Sequence, residues 1–191
     1  MADKSNLKLL ILDRDGVINE DRDDYIKSPD EWVPVPGSVE AIARLYRDGW
    51  RIVVASNQSG VGRGLFDMPT LNAIHLKMQK TLVAAGGRVD AVFFCPHAPE
   101  EHCACRKPAP GLFRDIALRH GLDDLAGVPA VGDSGRDLAA AQPLGCALHL
   151  VRSGKGERTL AAGALPEGTR VHDDLAAFAD WLLAQRAAPA A

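Results

Sequence analysis

Short apolar runs alternate with longer amphipathic stretches along this chain. Five runs, Leu7–Asp13, Arg51–Ser56, Val89–Cys95, Val128–Asp133 and Ala147–Val151, are too short and too evenly apolar for surface helices. They predict strands covered on both faces. Between them the hydrophobic period becomes helical. In GSVEAIARLYRDGW (37–50), Val39, Ile42, Ala43 and Tyr46 share one predicted face, and Gly49 suits the stop. In FDMPTLNAIHLKMQKTLVAAGG (66–87), Asp67 is the predicted N-cap and Pro69 sits in the first turn. Leu71, Ile74, Met78 and Leu82 form its face, and Gly86–Gly87 end it. A third helix opens at Pro110 and carries Leu112, Phe113, Ile116 and Ala117. A last one spans about Asp173–Gln185, after which RAAPAA should fray. This alternation predicts one α/β domain over residues 1–191: a doubly wound, Rossmann-like, mostly parallel sheet with helices on both faces.

That layout gathers polar groups at one edge. Asp13, Ser56 and Asp133 each end a predicted strand, and Arg106 and Lys107 follow the third. Open α/β sheets bind ligands beyond the carboxyl ends of their strands. The close pair Asp13 and Asp15 needs a reason, since neighbouring carboxylates repel. A phosphate monoester and a Mg²⁺ ion supply one. Asp13 is ionised at neutral pH and is a nucleophile without an activating base. A hard cation between Asp13, the phosphate and Asp133 offsets the repulsion between the two anions. Lys107 and the Ser56 hydroxyl suit the remaining phosphoryl oxygens. Asp15 can protonate the leaving alkoxide and then take a proton from the attacking water.

Composition narrows the partners. The chain has 191 residues, a net charge of −3 and a pI near 6.1, with no long basic run, which argues against nucleic acid. No stretch approaches the ~18 apolar residues of a membrane span. The opening MADKSNLK lacks the apolar core of a signal peptide, so a cytoplasmic protein is expected, and a monomer is the expected state. In a reducing compartment the cluster Cys95, Cys103 and Cys105 reads as metal-binding rather than disulfide-bonded, with free thiols as the plain alternative. Cys146 reads as a buried small hydrophobe.

The segments DRDGVIN, VVASNQSG, RKPAPG and VGDSGRD resemble, in order and spacing, the four motifs of the haloacid dehalogenase superfamily of aspartate-nucleophile phosphatases. More narrowly, LDRDGVIN, SNQSGVGRG and Cys-x-His … Cys-x-Cys-Arg-Lys-Pro are similar to its branch acting on heptose 1,7-bisphosphate. The resemblance covers roughly residues 7–160. It implies Asp13 as nucleophile, Asp15 as proton donor, and Ser56 and Lys107 as phosphoryl stabilisers. It implies Mg²⁺ on Asp13, Asp133 and the main-chain carbonyl of Asp15. Substrate contacts would fall on the flap residues Asp21, Arg22 and Tyr25, on Asn57, Gln58 and Ser59, and on Arg106. Ser134 stands where some members carry a lysine. The flap EDRDDY (20–25) is a residue longer than the usual form, and the loop between His97 and Cys103 is shorter than in some members.

Within CPHAPEEHCACRKP (95–108), Cys95, His97, Cys103 and Cys105 form a set suited to tetrahedral Zn²⁺. Four protein ligands leave no open position, so the zinc would be structural and would pin the loop carrying Arg106 and Lys107. His102 is a rival ligand, but it abuts Cys103, and the family pattern favours His97. The intervals from Asp15 to Ser56 and from Ser56 to Lys107 each already hold a helix and a strand, which leaves no room for a separate cap domain. Asp137 reads either as a supporting group or as an acid in a first helical turn, and His75 as a surface or boundary residue. SGVGRG (59–64) reads either as a turn or as a backbone anion cradle. The expected activity is Mg²⁺-dependent removal of the C7 phosphate from the sugar bisphosphate. Histidinol-phosphate phosphatase is the nearest rival, and a polynucleotide 3′-phosphatase conflicts with the acidic balance. A receiver-like module phosphorylated on Asp13 conflicts with Asp15 and Lys107.

Overall fold

Leu10, Leu12, Ile52 and Val54 point to one side of the central sheet, and Leu9, Ile11, Val53 and Ala55 to the other, as the two-residue strand period requires. A computed structural model describes residues 7–163 and 165–187. Its strands are β1 (Leu9–Leu12), β2 (Arg51–Asn57), β3 (Ala91–Cys95), β4 (Pro129–Gly132), β5 (Ala147–Val151) and β6 (Arg170–His172). They form one sheet in the order β3-β2-β1-β4-β5-β6, and every pairing is parallel. The helices are α1 (Ser38–Arg47), α2 (Met68–Ala84), α3 (Gly111–His120), α4 (Gly135–Ala141), α5 (Gly156–Ala161) and α6 (Leu175–Ala187). The first core includes residues of α1, α2 and α6, and the second includes residues of α3 and α4. The doubly wound expectation holds.

Several local expectations change. The strand core of β1 is Leu9–Leu12, so Asp13 lies just past it, as Asp133 lies just past β4. β3 is half-buried rather than covered, because it is the sheet edge. On α1 the buried residue of the last turn is Leu45, not Tyr46. Tyr46 is exposed, with the Arg88 guanidinium 5.6 Å over its ring. Packing on α6 rotates the buried stripe, and the Arg44–Asp180 ion pair joins the same two helices at 2.7 Å. Asp67 caps α2 as expected, accepting from the Thr70 N–H at 2.9 Å, and Leu71, Ile74, Met78 and Leu82 are buried. α4, α5 and β6 carry no expectation above. They are seven, six and three residues long, too short to display a period. The fraying expected of RAAPAA lies outside the described residues, except that Arg186 and Ala187 complete α6. No helix among the described residues is long and apolar enough to cross a membrane.

Strand order places the crevice. Connections leave β1 and β4 in opposite directions across the sheet, and a gap opens beyond their carboxyl ends at that point.

Candidate active site

Lys107 sits at the centre of this crevice with its side chain 2% exposed. A buried ammonium is stable only with partners, and its Nζ has three: Asp13 Oδ1 at 3.0 Å, Asp137 Oδ1 at 2.6 Å and the Ala55 carbonyl at 2.6 Å. Burial pulls the lysine pKa down, but Asp13 and Asp137 outweigh it and hold it above the ordinary value. The loop is fixed by Asn57, whose amide Nδ2 donates to the Lys107 carbonyl and whose Oδ1 accepts from the Lys107 N–H, both at 3.0 Å. Both ends of the Asn57 amide are therefore occupied by main chain.

Asp13 and Asp133 meet across the β1–β4 boundary. The hydrogen bonds of Asp13 converge on Oδ1, from the Arg14 N–H at 2.7 Å and from Lys107, and Oδ2 has no protein partner among the described residues. Asp133 Oδ2 accepts the Lys155 N–H at 2.8 Å. Asp13, Asp133 and Asp137 offer carboxylate oxygens within 4.8 Å of one another. Burial pushes Asp13 up to about 7, with Lys107 opposing and Asp137 and Asp15 adding to the rise. Burial and the charges of Asp137 and Asp13 push Asp133 up to about 8. Asp137 behaves differently: burial raises it, yet Lys107 and the Ser134 hydroxyl and N–H hold it below the usual carboxylate range. Asp13 and Asp133 thus form an under-compensated anionic pair suited to a hard cation. Backbone is pressed against it. A Cβ on Gly16 or Gly154 would fall 2.0 or 2.3 Å from Asp133 Oδ2, and both glycines have positive φ.

Asp15 faces other partners. It accepts from Arg14 Nη2 at 2.8 and 3.0 Å, Asn19 Nδ2 at 2.9 Å and Gln58 Nε2 at 2.8 Å. Burial would raise its pKa, but Arg14, Asn19 and Gln58 hold it below the ordinary value. Gln58 Nε2 also reaches Ser56 Oγ at 2.9 Å, which ties the strand-end hydroxyl to Asp15. The Asp15 carboxylate thus lies outside the group formed by Asp13, Asp133 and Asp137.

The structure gathers every phosphate- or sugar-directed residue expected from the sequence. Asp13, Asp15, Asp21, Arg22, Tyr25, Ser56, Asn57, Gln58, Ser59, Arg106, Lys107, Asp133 and Ser134 all line one crevice. Within the flap, Arg22 pairs with Asp24 at 3.0 Å and Asp21 with Lys155 at 2.5 Å, while Tyr25 takes a left-handed backbone with φ of 69°. The Ser134 hydroxyl donates to Asp137 Oδ2 at 2.6 Å, and the same oxygen accepts the Ser134 N–H at 3.0 Å, which satisfies the start of α4. Arg106 Nη1 is buried with no hydrogen-bond partner among the described residues. The turn reading of SGVGRG holds from Val61 to Gly64, whose N–H groups are all taken by main-chain carbonyls. The N–H groups of Val61, Gly62, Arg63, Gly64 and Leu65 donate to Gln58, Pro96, Ser59, Val61 and Gly60 carbonyls, so the loop is a turn packed on the cysteine loop.

Sequence reasoning gave no role to Arg14, 1% exposed beneath Asp15, nor to Arg136 and Lys155, which also line the crevice. A charged residue between two site aspartates was the signal available for Arg14. His75 is a boundary residue as expected. Its Nε2 lies 3.3 Å from Arg14 Nη1, and burial together with that guanidinium pushes it down to about 4.

Beside the crevice, Cys95, His97, Cys103 and Cys105 bring three Sγ and one Nδ1 within 4.8 Å of one another. The Sγ–Sγ distances of 3.5 Å are close to the roughly 3.8 Å edge of a tetrahedron built on Zn–S bonds of about 2.3 Å. His102 is outside the group and exposed.

This fold and this carboxylate–lysine crevice define a phosphatase of the haloacid dehalogenase (HAD) type. The chain matches a family model described as HAD-hydrolase-like over residues 104–178 and one described as polynucleotide kinase 3 phosphatase over residues 8–135. It is 63% identical over 177 residues to the D-glycero-beta-D-manno-heptose-1,7-bisphosphate 7-phosphatase of Bordetella bronchiseptica, covering 93% of this chain and 98% of that protein. The protein of the same name from Pseudomonas aeruginosa is 53% identical, with 92% and 97% covered. A crystal structure of the B. bronchiseptica D,D-heptose 1,7-bisphosphate phosphatase complexed with magnesium and phosphate superimposes with a TM-score of 0.92 at 62% identity, covering 94% of this chain and 99% of that one. The chain belongs to the D-glycero-beta-D-manno-heptose-1,7-bisphosphate 7-phosphatase family and is a phosphoric monoester hydrolase.

Proposed function

We propose that this protein removes the C7 phosphate of D-glycero-D-manno-heptose 1,7-bisphosphate through an aspartyl phosphate on Asp13. The observation that carries the reading is the convergence of Asp13, Ser56, Lys107 and Asp133 on one crevice, with Asp15 linked to Ser56 through Gln58. Asp13 attacks phosphorus, the P–O bond to C7 breaks, and the alkoxide takes a proton from Asp15. Water then attacks the aspartyl phosphate and gives its proton to Asp15, releasing inorganic phosphate and restoring Asp13. At rest Asp15 is in its base form; an entering phosphate dianion raises its proton affinity, so Asp15 takes up one proton from solvent as substrate binds and returns one to solvent when phosphate leaves. The three donors of Lys107 are occupied at rest. As Asp13 is esterified and loses its charge, the donor that it held can turn to a phosphoryl oxygen, and Ser56 Oγ binds another.

The side chains of Asp13 and Asp133, with the Asp15 main-chain carbonyl, would hold Mg²⁺, which when bound neutralises phosphoryl charge. This makes a pH-dependent prediction. Asp13 and Asp133 have folded-state pKa values raised to about 7 and about 8, so the metal-free protein binds their protons more tightly than the unfolded chain does. Its stability should fall as pH rises from about 4 to about 8. Asp15 and Asp137, shifted downward, act only at lower pH. Mg²⁺ should therefore raise the melting temperature more near pH 8 than near pH 5, read by scanning fluorimetry. Equal shifts would count against the Asp13–Asp133 site.

Zinc on Cys95, His97, Cys103 and Cys105 would be structural. Cys105 adjoins Arg106 directly, so the same cluster anchors the residue before Lys107. Protein purified without chelator should contain about one zinc per chain. Cys103→Ser should lose it, melt earlier and lose activity, because zinc ligation is linked to folding. Elemental analysis finding no zinc in wild type would refute the assignment. Three ligating thiols suit a reducing, cytoplasmic setting.

We read the chain as a single phosphatase domain without a cap, its specificity set by the flap and by Arg106, whose unpartnered guanidinium suits the distal phosphate. A polynucleotide substrate is the weaker reading. That family model stops at residue 135, whereas the heptose phosphatase relatives match nearly end to end. Phosphate release from heptose 1,7-bisphosphate and histidinol phosphate, assayed side by side with ³¹P NMR of the sugar product, tests the proposal. Faster turnover of histidinol phosphate, or loss of the C1 phosphate, would reject it.

A further inference from the structure

Five cations line the crevice: Arg22, Arg106, Lys107, Arg136 and Lys155. Three are matched by carboxylates. Lys107 holds Asp13 and Asp137, Arg22 holds Asp24, and Lys155 holds Asp21. Arg106 and Arg136 make no ion pair and no hydrogen bond through their side chains among the described residues. Two guanidiniums without a carboxylate partner thus face one cavity, and they offer their donors to an anion that enters it.

Charge arithmetic on the substrate says which. A phosphate monoester carries about −1.5 to −2 at neutral pH. The reacting phosphoryl has Lys107, Ser56 and the cation site of Asp13 and Asp133 to meet it. The distal phosphate has a similar charge, and Arg106 supplies only one positive charge toward it. We infer that Arg136 is the second distal-phosphate residue, so that Arg106 and Arg136 together read the C1 phosphate; this rests on the bisphosphatase reading above. Arg106 comes from the loop after β3 and Arg136 from the first turn of α4 after β4, so the two approach from different strand ends. Ser134, two residues earlier, does not compete for the role, because its hydroxyl is donated to Asp137 at 2.6 Å. Lys155 stays with Asp21, and its pKa is raised by that pair although burial pulls it down and Arg136 opposes the rise.

The inference separates binding of the far end from chemistry at the near end. Arg136→Ala should raise KM for heptose 1,7-bisphosphate roughly 10- to 30-fold, the scale of one charge-assisted contact, with kcat changed less than about threefold. Turnover of p-nitrophenyl phosphate, which has no second phosphate, should stay within about twofold. Heptose 1-phosphate keeps the distal phosphate, so its competitive Ki should weaken about as much as KM does. Arg136→Lys should retain most of the affinity. Arg136 is exposed, so the variants should fold, which circular dichroism checks. An unchanged KM and Ki in Arg136→Ala, or equal losses on both substrates, would overturn the inference while leaving the bisphosphatase reading intact. A wild-type enzyme with no preference for the bisphosphate over the monophosphate would overturn both.

Discussion

Asp13→Asn should leave a folded protein with phosphatase activity lowered by about 10⁴-fold or more, the scale expected when a nucleophile is removed. The amide cannot attack phosphorus, and the neighbouring carboxylates have other tasks, Asp133 at the cation site among them. Asp15 is engaged by Arg14, Asn19 and Gln58, and Asp137 by Lys107 and Ser134. Stability should move the other way. Burial already pushes Asp13 up to about 7, so above neutrality its ionised form is a burden on the metal-free fold. Removing that charge relieves Asp133, while Lys107 keeps Asp137 at 2.6 Å as its counter-ion. In metal-free buffer near pH 8, Asp13→Asn should therefore melt no lower than wild type, and Mg²⁺ should stabilise it less. Kinetics of phosphate release and melting curves with and without Mg²⁺ read both halves. Substantial activity in a folded, metal-loaded variant would sink the mechanism.

The second large effect belongs to Asp15, and it should depend on the leaving group. Heptose C7 departs as an alkoxide and needs a proton, whereas p-nitrophenolate leaves without one. Asp15→Asn should lower kcat on the sugar bisphosphate by about 10²- to 10⁴-fold and on p-nitrophenyl phosphate far less. The alanine variant adds a structural penalty. Arg14 is 1% exposed, and Asp15 is the only carboxylate it pairs with among the described residues. Stranding that guanidinium should cost about 3 kcal/mol. Asp15→Ala should accordingly melt several degrees below Asp15→Asn, with the same ranking of substrates. Identical fold-losses on alkyl and aryl phosphates in Asp15→Asn would show that Asp15 is not the proton donor.

Much of this could be read before any coordinates. Strands wholly covered by helices must be apolar on both sides, so β1, β2, β4 and β5 stand out as runs, and α2 and α3 as periodic segments. Asp13, Ser56 and Asp133 are legible because a polar residue closing such a run has nowhere to go except the sheet's carboxyl edge. The cysteine loop is legible because ligands two to ten residues apart are bound to be near one another. Tyr46 misled because helical spacing alone does not say which flank of a stripe a neighbour covers; α6 decided for Leu45.

Chemistry-bearing residue types and their order along the chain were thus determined by sequence alone, since strand ends and short loops confine them locally. What each side chain does with its donors was decided only by the fold. Asn57 clamps the Lys107 main chain, Ser134 serves Asp137, and Gly62 of SGVGRG packs on the cysteine loop with its N–H donated to the Pro96 carbonyl. The same holds for charge. Five cations and a row of aspartates read as one mixed population in the sequence, but pairing depends on contacts between residues as far apart as Asp21 and Lys155. Only after those pairs form does the tertiary structure leave Asp13 and Asp133 short of positive charge, and Arg106 and Arg136 short of negative charge.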